Sequence, residues 1–500
     1  MQILGTATPE PVGGAALAIR APGRTGTVDS LPPRASATRG GRHDHLLDAV
    51  TAMGADAPAI IGRLDIKIEP ASILMPITAP GQTRGGEGPA PAAVMVAKRD
   101  ATTAYAVHYF DDNTHTDMWV FPNDANRSDL VFELPETPPA PAAASAPGGT
   151  RAFITAAMRG LVTVVAWVTD PILGTAANAI AMAWESRRRP YGLHQVTQDG
   201  NMIEPDWSTF NGDPVLLLVH GTFSTPEAGF FGWLGTPNFA DIHRRYGGRC
   251  LAFAHPTMHV DPAENVAWMI DHLPKDRPWK FDTVSHSRGG LVVRELAARA
   301  KQDAACDVDR MVMVAPPNFG TPLASATHWK TFLNVHTSIL TYAPDTVATI
   351  VSEGLLCLVK ILGSAVVSGL PGLAAMNSEA TYLQLLAPRV YSHPDGLYAI
   401  ASSYSPSRPE VIKLIAAKAA DAVVDDFFKE PNDLVVPTKG CSEGSLSAVG
   451  FPVAPTRLIR LSGKIHHCNY FEQTAVHGKP AEWLAGAGQG PAAHADAISS

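Results

Sequence analysis

Cysteine is scarce. The 500 residues hold five, Cys250, Cys306, Cys357, Cys441 and Cys468, an odd number with no C-x-x-C pair and no regular spacing. That excludes a disulfide framework or a structural zinc site as the organising principle, and it fits a reducing compartment. Charge is also sparse, with 17% Asp, Glu, Lys and Arg and a net charge of −8. Such a chain offers no basic field, so no nucleic-acid partner and no anionic lipid surface is expected. The N-terminus, MQILGTATPEPVGG, lacks the basic segment and apolar run of a signal peptide, which leads to the expectation of a cytoplasmic protein. Long hydrophobic runs are missing as well. The stretches at 161–169 and 361–378 are too short, or too broken by Gly363, Gly369, Pro371 and Gly372, to cross a bilayer, and no transmembrane segment is expected.

What the chain does have is a 46% hydrophobic content, enough for two or three globular domains with a sizeable core. Proline, glycine and alanine concentrate at 22–41, 79–93 and 135–150, which read as linkers or long loops. They set off an N-terminal region, 1–150, in which VMVAKRD, TAYAVHYF, DMWVFP and LVFELP alternate like strands between the turn-prone segments DDNTH and NDANRSD. No catalytic cluster is legible there. Residues 151–189 have the composition of a helical connector, with two short helices expected on either side of Asp170-Pro171.

From residue 190 to 485 apolar strands alternate with helical segments: PVLLLVHG, RCLAFAHP, KFDTVSHS, RMVMVAPP, LYAIASSY and TRLIRLSG. Continuous apolar runs spaced by helices are what a parallel sheet covered on both faces requires, so the fold class is α/β. Residues 486–500 read as a flexible tail. Oligomeric state is not legible.

Two serines compete for a chemical role. GCSEG at 440–444 spells the nucleophile pattern G-x-S-x-G, but it follows Pro437-Thr438-Lys439 and leads into a segment broken by Gly444, Gly450 and Pro452, so Ser442 is expected in a loop. SHSRGG at 285–290 departs from the pattern, with Ser285 in place of its first glycine. Its context nevertheless fits, because the strand KFDTV precedes Ser287 and the periodic Val292, Val293, Leu296, Ala297 and Ala300 predict a helix after it. A nucleophile elbow needs that strand–turn–helix setting and small neighbours two residues either side, here Ser285 and Gly289. Ser287 is the expected nucleophile.

VSHSRGGLVVR resembles the elbow of α/β-hydrolases of the lipase and esterase type, and LLLVHGTFSTP resembles their oxyanion loop. RMVMVAPPNFGTPLA is similar to the segment after the elbow helix in lipases and in the branch containing GPI inositol-deacylases and lecithin–cholesterol acyltransferases. The resemblance covers about residues 190–480. It implies an α/β-hydrolase fold with a mostly parallel sheet, a helical cap insertion and a small β-rich N-terminal region. It also implies an oxyanion hole from the N–H groups of Arg288 and Thr222, with Phe223 as the alternate. His220 is expected to brace that loop, and Arg288 taken alone reads as a solvated charge.

The acid and base should follow the serine in chain order. Asp433 in EPNDLVVPT resembles the lipase segment that carries the acid, whereas Asp425 and Asp426 lie on a helical pattern as surface charges. HHCNYF at 466–471 follows the last strand. His467 fits an H-x-N-Y-F ending better than His466 does, and Cys468 has no elbow of its own. The implied activity is that of a serine carboxylic-ester hydrolase, with an acyltransferase or a catalytically silent binding protein as alternatives, and it calls for no cofactor and no metal. The apolar helical segment at about 325–390 either covers Ser287 as a lid, which favours an apolar acyl-ester substrate, or enlarges the core, or forms a dimer contact.

Overall fold

The computed structural model describes all residues except 13–15, 34–43, 71–90, 99, 114, 125–126, 136–156, 170–176, 213, 301–304, 341, 365–368, 387–390, 406–421, 443–452 and 486–500. The Pro/Gly-rich segments at 79–93 and 135–150 lie largely outside the described residues, as do the Asp170-Pro171 break and the tail.

The apolar runs after residue 190 build an eight-stranded sheet from β1 (Gly192–Val196), β2 (Met202–Ile203), β3 (Val215–Val219), β4 (Cys250–Ala254), β5 (Trp279–His286), β6 (Cys306–Val314), β7 (Leu397–Tyr404) and β8 (Leu458–Gly463). Their order is β2-β1-β4-β3-β5-β6-β7-β8. Strands β3 to β8 pair in parallel, and β1 joins β4 antiparallel. Both faces are buried because successive residues of one strand serve different cores. Leu217 and Val219 of β3 face Val266, Met269, Val292 and Leu296, whereas Leu216 and Leu218 face Trp233, Phe239 and Ile242. The chain runs from β3 to β4 on one side and then to β5 on the other. This reversal opens a crevice at the carboxyl ends of β3 and β5, the usual ligand position in an open α/β sheet.

In chain order the principal helices are α1 (His45–Met53), α2 (Ala177–Arg188), α3 (Pro237–Arg245), α4 (Pro262–His272), α5 (Gly289–Ala300), α6 (Trp329–Leu340), α7 (Asp345–Gly363) and α8 (Thr474–Trp483). The expected cap of α4 is present: the Asp261 carboxylate accepts from the Glu264 N–H, with Pro262 in the first turn. Helix α7, 19 residues long, is long and apolar enough to cross a membrane, with mean hydropathy 1.7 over an 18-residue window, but 67% of that window is buried inside the protein.

The N-terminal strands form two antiparallel sheets. The larger runs Gln2–Ile3, Arg24–Leu31, Ala59–Pro70, Met158–Val168, Thr103–Asp111 and Thr116–Val120, and the smaller runs Glu10–Pro11, Leu17–Arg20, Ala93–Ala97 and Asp129–Glu133. One core joins them, with Ile19, Val94 and Phe132 from the smaller sheet against Ile66, Tyr105, Val107 and Val162 from the larger.

Two expectations change here. The stretch 22–41 contains a paired strand, because RTGTVDSL lies in register along Ala59–Pro70. The connector is not two helices: Met158–Val168 is a central strand of the N-terminal sheet, and among its described residues only α2 is helical. The β-branched run LVTVVAWV favours a strand, and the flanking Ala and Met residues suggested otherwise.

Candidate active site

Ser287 directly follows β5 and stands two residues before the start of α5. It takes φ +53°, a left-handed conformation that a non-glycine residue holds only where its surroundings impose it. Its N–H donates to Val314 O (2.8 Å). The turn is tight enough that a Cβ on Gly289 would stand 2.2 Å from Val219 O, so glycine is required two residues beyond the serine.

Three side chains from three separate segments meet here. Ser287 Oγ donates to His467 Nε2 (2.8 Å), and His467 Nδ1–H donates to Asp433 Oδ2 (2.8 Å). The other oxygen of Asp433 accepts from the Val435 and Val436 N–H groups (3.0 and 2.7 Å), and Oδ2 also accepts from the Tyr470 hydroxyl (3.0 Å). Burial alone would raise the Asp433 carboxyl. The facing His467 and the hydrogen bonds from His467, Val436 and Val435 outweigh burial and hold it below the ordinary carboxylate range. Tyr470 moves the other way: burial first, then the Asp433 charge, push its phenol well above its usual value, so it remains a donor. A backbone bond from His467 N–H to Asp433 O (3.0 Å) ties the two loops together.

The other candidates fall into place around this chain. The Phe223 N–H is committed to Thr257 Oγ1 (3.2 Å), whereas the N–H groups of Thr222 and Arg288 make no hydrogen bond among the described residues. This favours Thr222 over Phe223 as a donor to an oxyanion. Thr257 is fixed in turn by Glu185 of α2, a fully buried carboxylate that also accepts from the N–H groups of Met258 and His259 (2.9 and 3.0 Å). His220 bonds Gly221 O through Nδ1 (2.9 Å), accepts from the His255 N–H (3.3 Å), and lies off the Ser287–His467–Asp433 chain.

Arg288 corrects the expectation of a solvated charge. Its guanidinium is buried and donates to Gly372 O (3.0 Å), Val260 O (2.5 Å) and Asn265 Oδ1 (3.0 Å). Ser442 is buried in a loop with its Oγ unpartnered among the described residues, and His466 turns toward Tyr404 and Cys468 N. Cys468 lines the site, but burial pushes its thiol up to about 12, which leaves it un-ionised and a poor nucleophile. Asp426 is an exposed surface charge paired with Lys429 (3.0 Å). The side chain of Asp425 lies outside the described residues.

Phe332 and His336 of α6, Val347 and Val351 of α7, and Met376 roof a chamber over Ser287 that Thr222, Phe231, Val435 and Val436 also line. Its volume is about 40 Å³, room for roughly two or three waters. Sequence reasoning missed His336 and Tyr470. For Tyr470 the Y of H-x-N-Y-F was a signal, whereas His336 lies in an apolar helical pattern with no motif around it.

The strand order and the elbow define an α/β-hydrolase fold. Residues 186–485 match the family described as a domain of unknown function (DUF7379), and the chain belongs to it. No curated protein sequence matches the chain. Solved structures with similarity include a Bacillus licheniformis lipase in mature form (14% identity, 56% of this chain and 92% of that one, TM-score 0.29). Pelosinus fermentans lipase 1 is similar at 15% identity, over 54% of this chain and 98% of that one, with a TM-score of 0.34. A metagenomic carboxyl esterase is similar at 17%, over 55% and 76%, with a TM-score of 0.30. The strand order, rather than these distant likenesses, defines the fold.

Proposed function

We propose that this protein is a serine hydrolase that cleaves carboxylic esters through Ser287, His467 and Asp433. The hydrogen-bonded chain from Ser287 Oγ through His467 to Asp433 carries the reading, because it supplies a nucleophile, a base and an orienting acid in one line. His467 Nε2 takes the Ser287 proton as Oγ attacks the ester carbonyl, and the N–H groups of Thr222 and Arg288 receive the developing oxyanion. The protonated His467 then gives its proton to the leaving alcohol. Water, deprotonated by the same nitrogen, hydrolyses the acyl-enzyme. Asp433 keeps Nδ1 protonated and steadies the imidazolium.

The wall of Phe332, Val347, Val351 and Met376 supports an apolar acyl group, and the small chamber requires α6 and α7 to move before one enters. Turnover of p-nitrophenyl esters from acetate to palmitate tests the reading. The expected result is hydrolysis that Ser287→Ala abolishes. Equal turnover in that variant, or none in either protein, rejects it.

A further inference from the structure

His336 stands in the chamber wall, and the acyl chemistry above does not use it. It is buried on α6, and its Nδ1 lies 2.9 Å from Phe332 O, one turn back. A carbonyl oxygen can only accept, so Nδ1 carries the proton and Nε2 presents a lone pair. The ring packs on Phe332 at 4.2 Å between centroids, meets Phe223 edge-on at 5.8 Å, and lies edge-on to His467 at 6.3 Å. These contacts fix its plane close to the reacting atoms. Burial, and next the His467 charge, hold the imidazole down to about 3, so it stays a neutral acceptor at physiological pH.

Nε2 makes no hydrogen bond among the described residues. Two hydroxyls of the wall are spent, Thr321 Oγ1 on Val435 O (2.6 Å) and Ser224 Oγ on Thr225 O (3.2 Å), and His286 gives its Nε2–H to His467 O (2.9 Å), with its buried Nδ1 unpartnered among the described residues. An ester that fills the space among Phe332, Val347, Val351 and Met376 desolvates this acceptor unless a donor on the ester meets it.

We propose that His336 Nε2 accepts a hydrogen bond from a hydroxyl of the substrate, so that the preferred ester carries a hydroxyl near its scissile carbonyl. The inference rests on the hydrolase reading for its chemistry and on the chamber geometry for its specificity. A donor that meets Nε2 recovers a bond the plain ester cannot make, and a site built around such a bond discriminates against the analogue that lacks it. The hydroxyl can belong to the acyl or to the alcohol part, and two pairs of substrates separate the cases. The p-nitrophenyl esters of 3-hydroxybutanoate and butanoate probe the acyl side, and 2-hydroxyethyl butanoate against ethyl butanoate probes the alcohol side.

In one pair the wild type is expected to favour the hydroxylated ester by about tenfold in kcat/KM, the size of one hydrogen bond. In His336→Phe, which keeps the ring and loses the acceptor, the ratio falls to near one, and His336→Gln retains part of it. Ratios near one in both wild-type pairs, or a preference that survives in His336→Phe, overturn the proposal. Binding of the same esters to the Ser287→Ala protein gives a reading that does not depend on turnover. The hydroxylated ester should bind about tenfold tighter and lose that advantage when His336→Phe is added; equal binding counts against His336 even if the hydrolase reading fails.

Discussion

Ser285 occupies the position where a nucleophile elbow commonly has glycine. It is fully buried in β5 between Val219 and Met313, and the left-handed conformation falls on Ser287, not on it. Its Oγ has no partner among the described residues, so serine here costs a desolvated hydroxyl and no backbone strain. Ser285→Ala should leave stability unchanged or raise it by up to about 1 kcal/mol in urea melts, with turnover intact. In the proposed mechanism Tyr470 acts through Asp433, whose Oδ2 accepts from its hydroxyl. Tyr470→Phe should lower kcat/KM by about tenfold while KM and the melting temperature change little. Acid should weaken the fold through its buried imidazoles. His220, His286 and His336 are each held down to about 3, by burial first. In the unfolded chain imidazole takes its proton near an ordinary value of about 6.5. Across that window the unfolded state binds more protons, so stability rises with pH and is lost on acidification, on the order of 1 kcal/mol per pH unit for each histidine. Asp433, held low, loses its contribution only further into acid, as pH falls through its folded value. Urea melts at pH 7, 6 and 5 measure this, and a flat profile contradicts it. Ser287 and His467 were legible because an elbow and a histidine after the last strand are local signals. The burial of Arg288 and the place of His336 depend on segments far away in sequence.

Helix α7 and the loop after β3, the proposed oxyanion loop, meet closely at one glycine. A Cβ on Gly354 would lie 2.8 Å from Phe223 Cβ and 3.2 Å from its Cα, and Phe223 itself takes φ +60°. By helix propensity alone Gly354→Ala gains about 1 kcal/mol. The contact predicts the opposite for function: the loop shifts, the Thr222 N–H leaves its place, and kcat falls by about tenfold or more. A higher melting temperature with unchanged kcat would show that the contact yields freely. The elements of the α/β sheet were readable because each strand buries both faces and so appears as an unbroken apolar run. In the N-terminal region the alternating segments VMVAKRD, TAYAVHYF, DMWVFP and LVFELP are strands as expected, but other strands were not legible. LVTVVAWV sits among helix-forming residues, and the strand RTGTVDSL hides within a segment rich in glycine and proline.

The N-terminal sandwich and the α/β domain share the roof. Trp119 N–H donates to Asn334 Oδ1 (2.8 Å) and Ser338 Oγ to Asp117 O (2.8 Å) on α6. Helix α1 packs along α7, and Glu353 of α7 pairs with Arg188 and Arg189 of the connector (3.3 and 3.1 Å). One apolar core runs from Leu46, Trp119 and Trp167 through α6 and α7 to Phe223 and Leu434. Nothing in the sequence announced this docking, because its partners lie hundreds of residues apart and each half reads as an ordinary amphipathic surface. Such a shared core predicts one calorimetric unfolding transition for the whole chain; two resolved transitions contradict it. The central claim concerns chemistry at one serine, and a fluorophosphonate probe read by intact mass tests it most directly. The account predicts a single adduct on the wild type and on Ser442→Ala, and none on Ser287→Ala. An adduct that persists in Ser287→Ala, or a wild type that stays unlabelled, would contradict it.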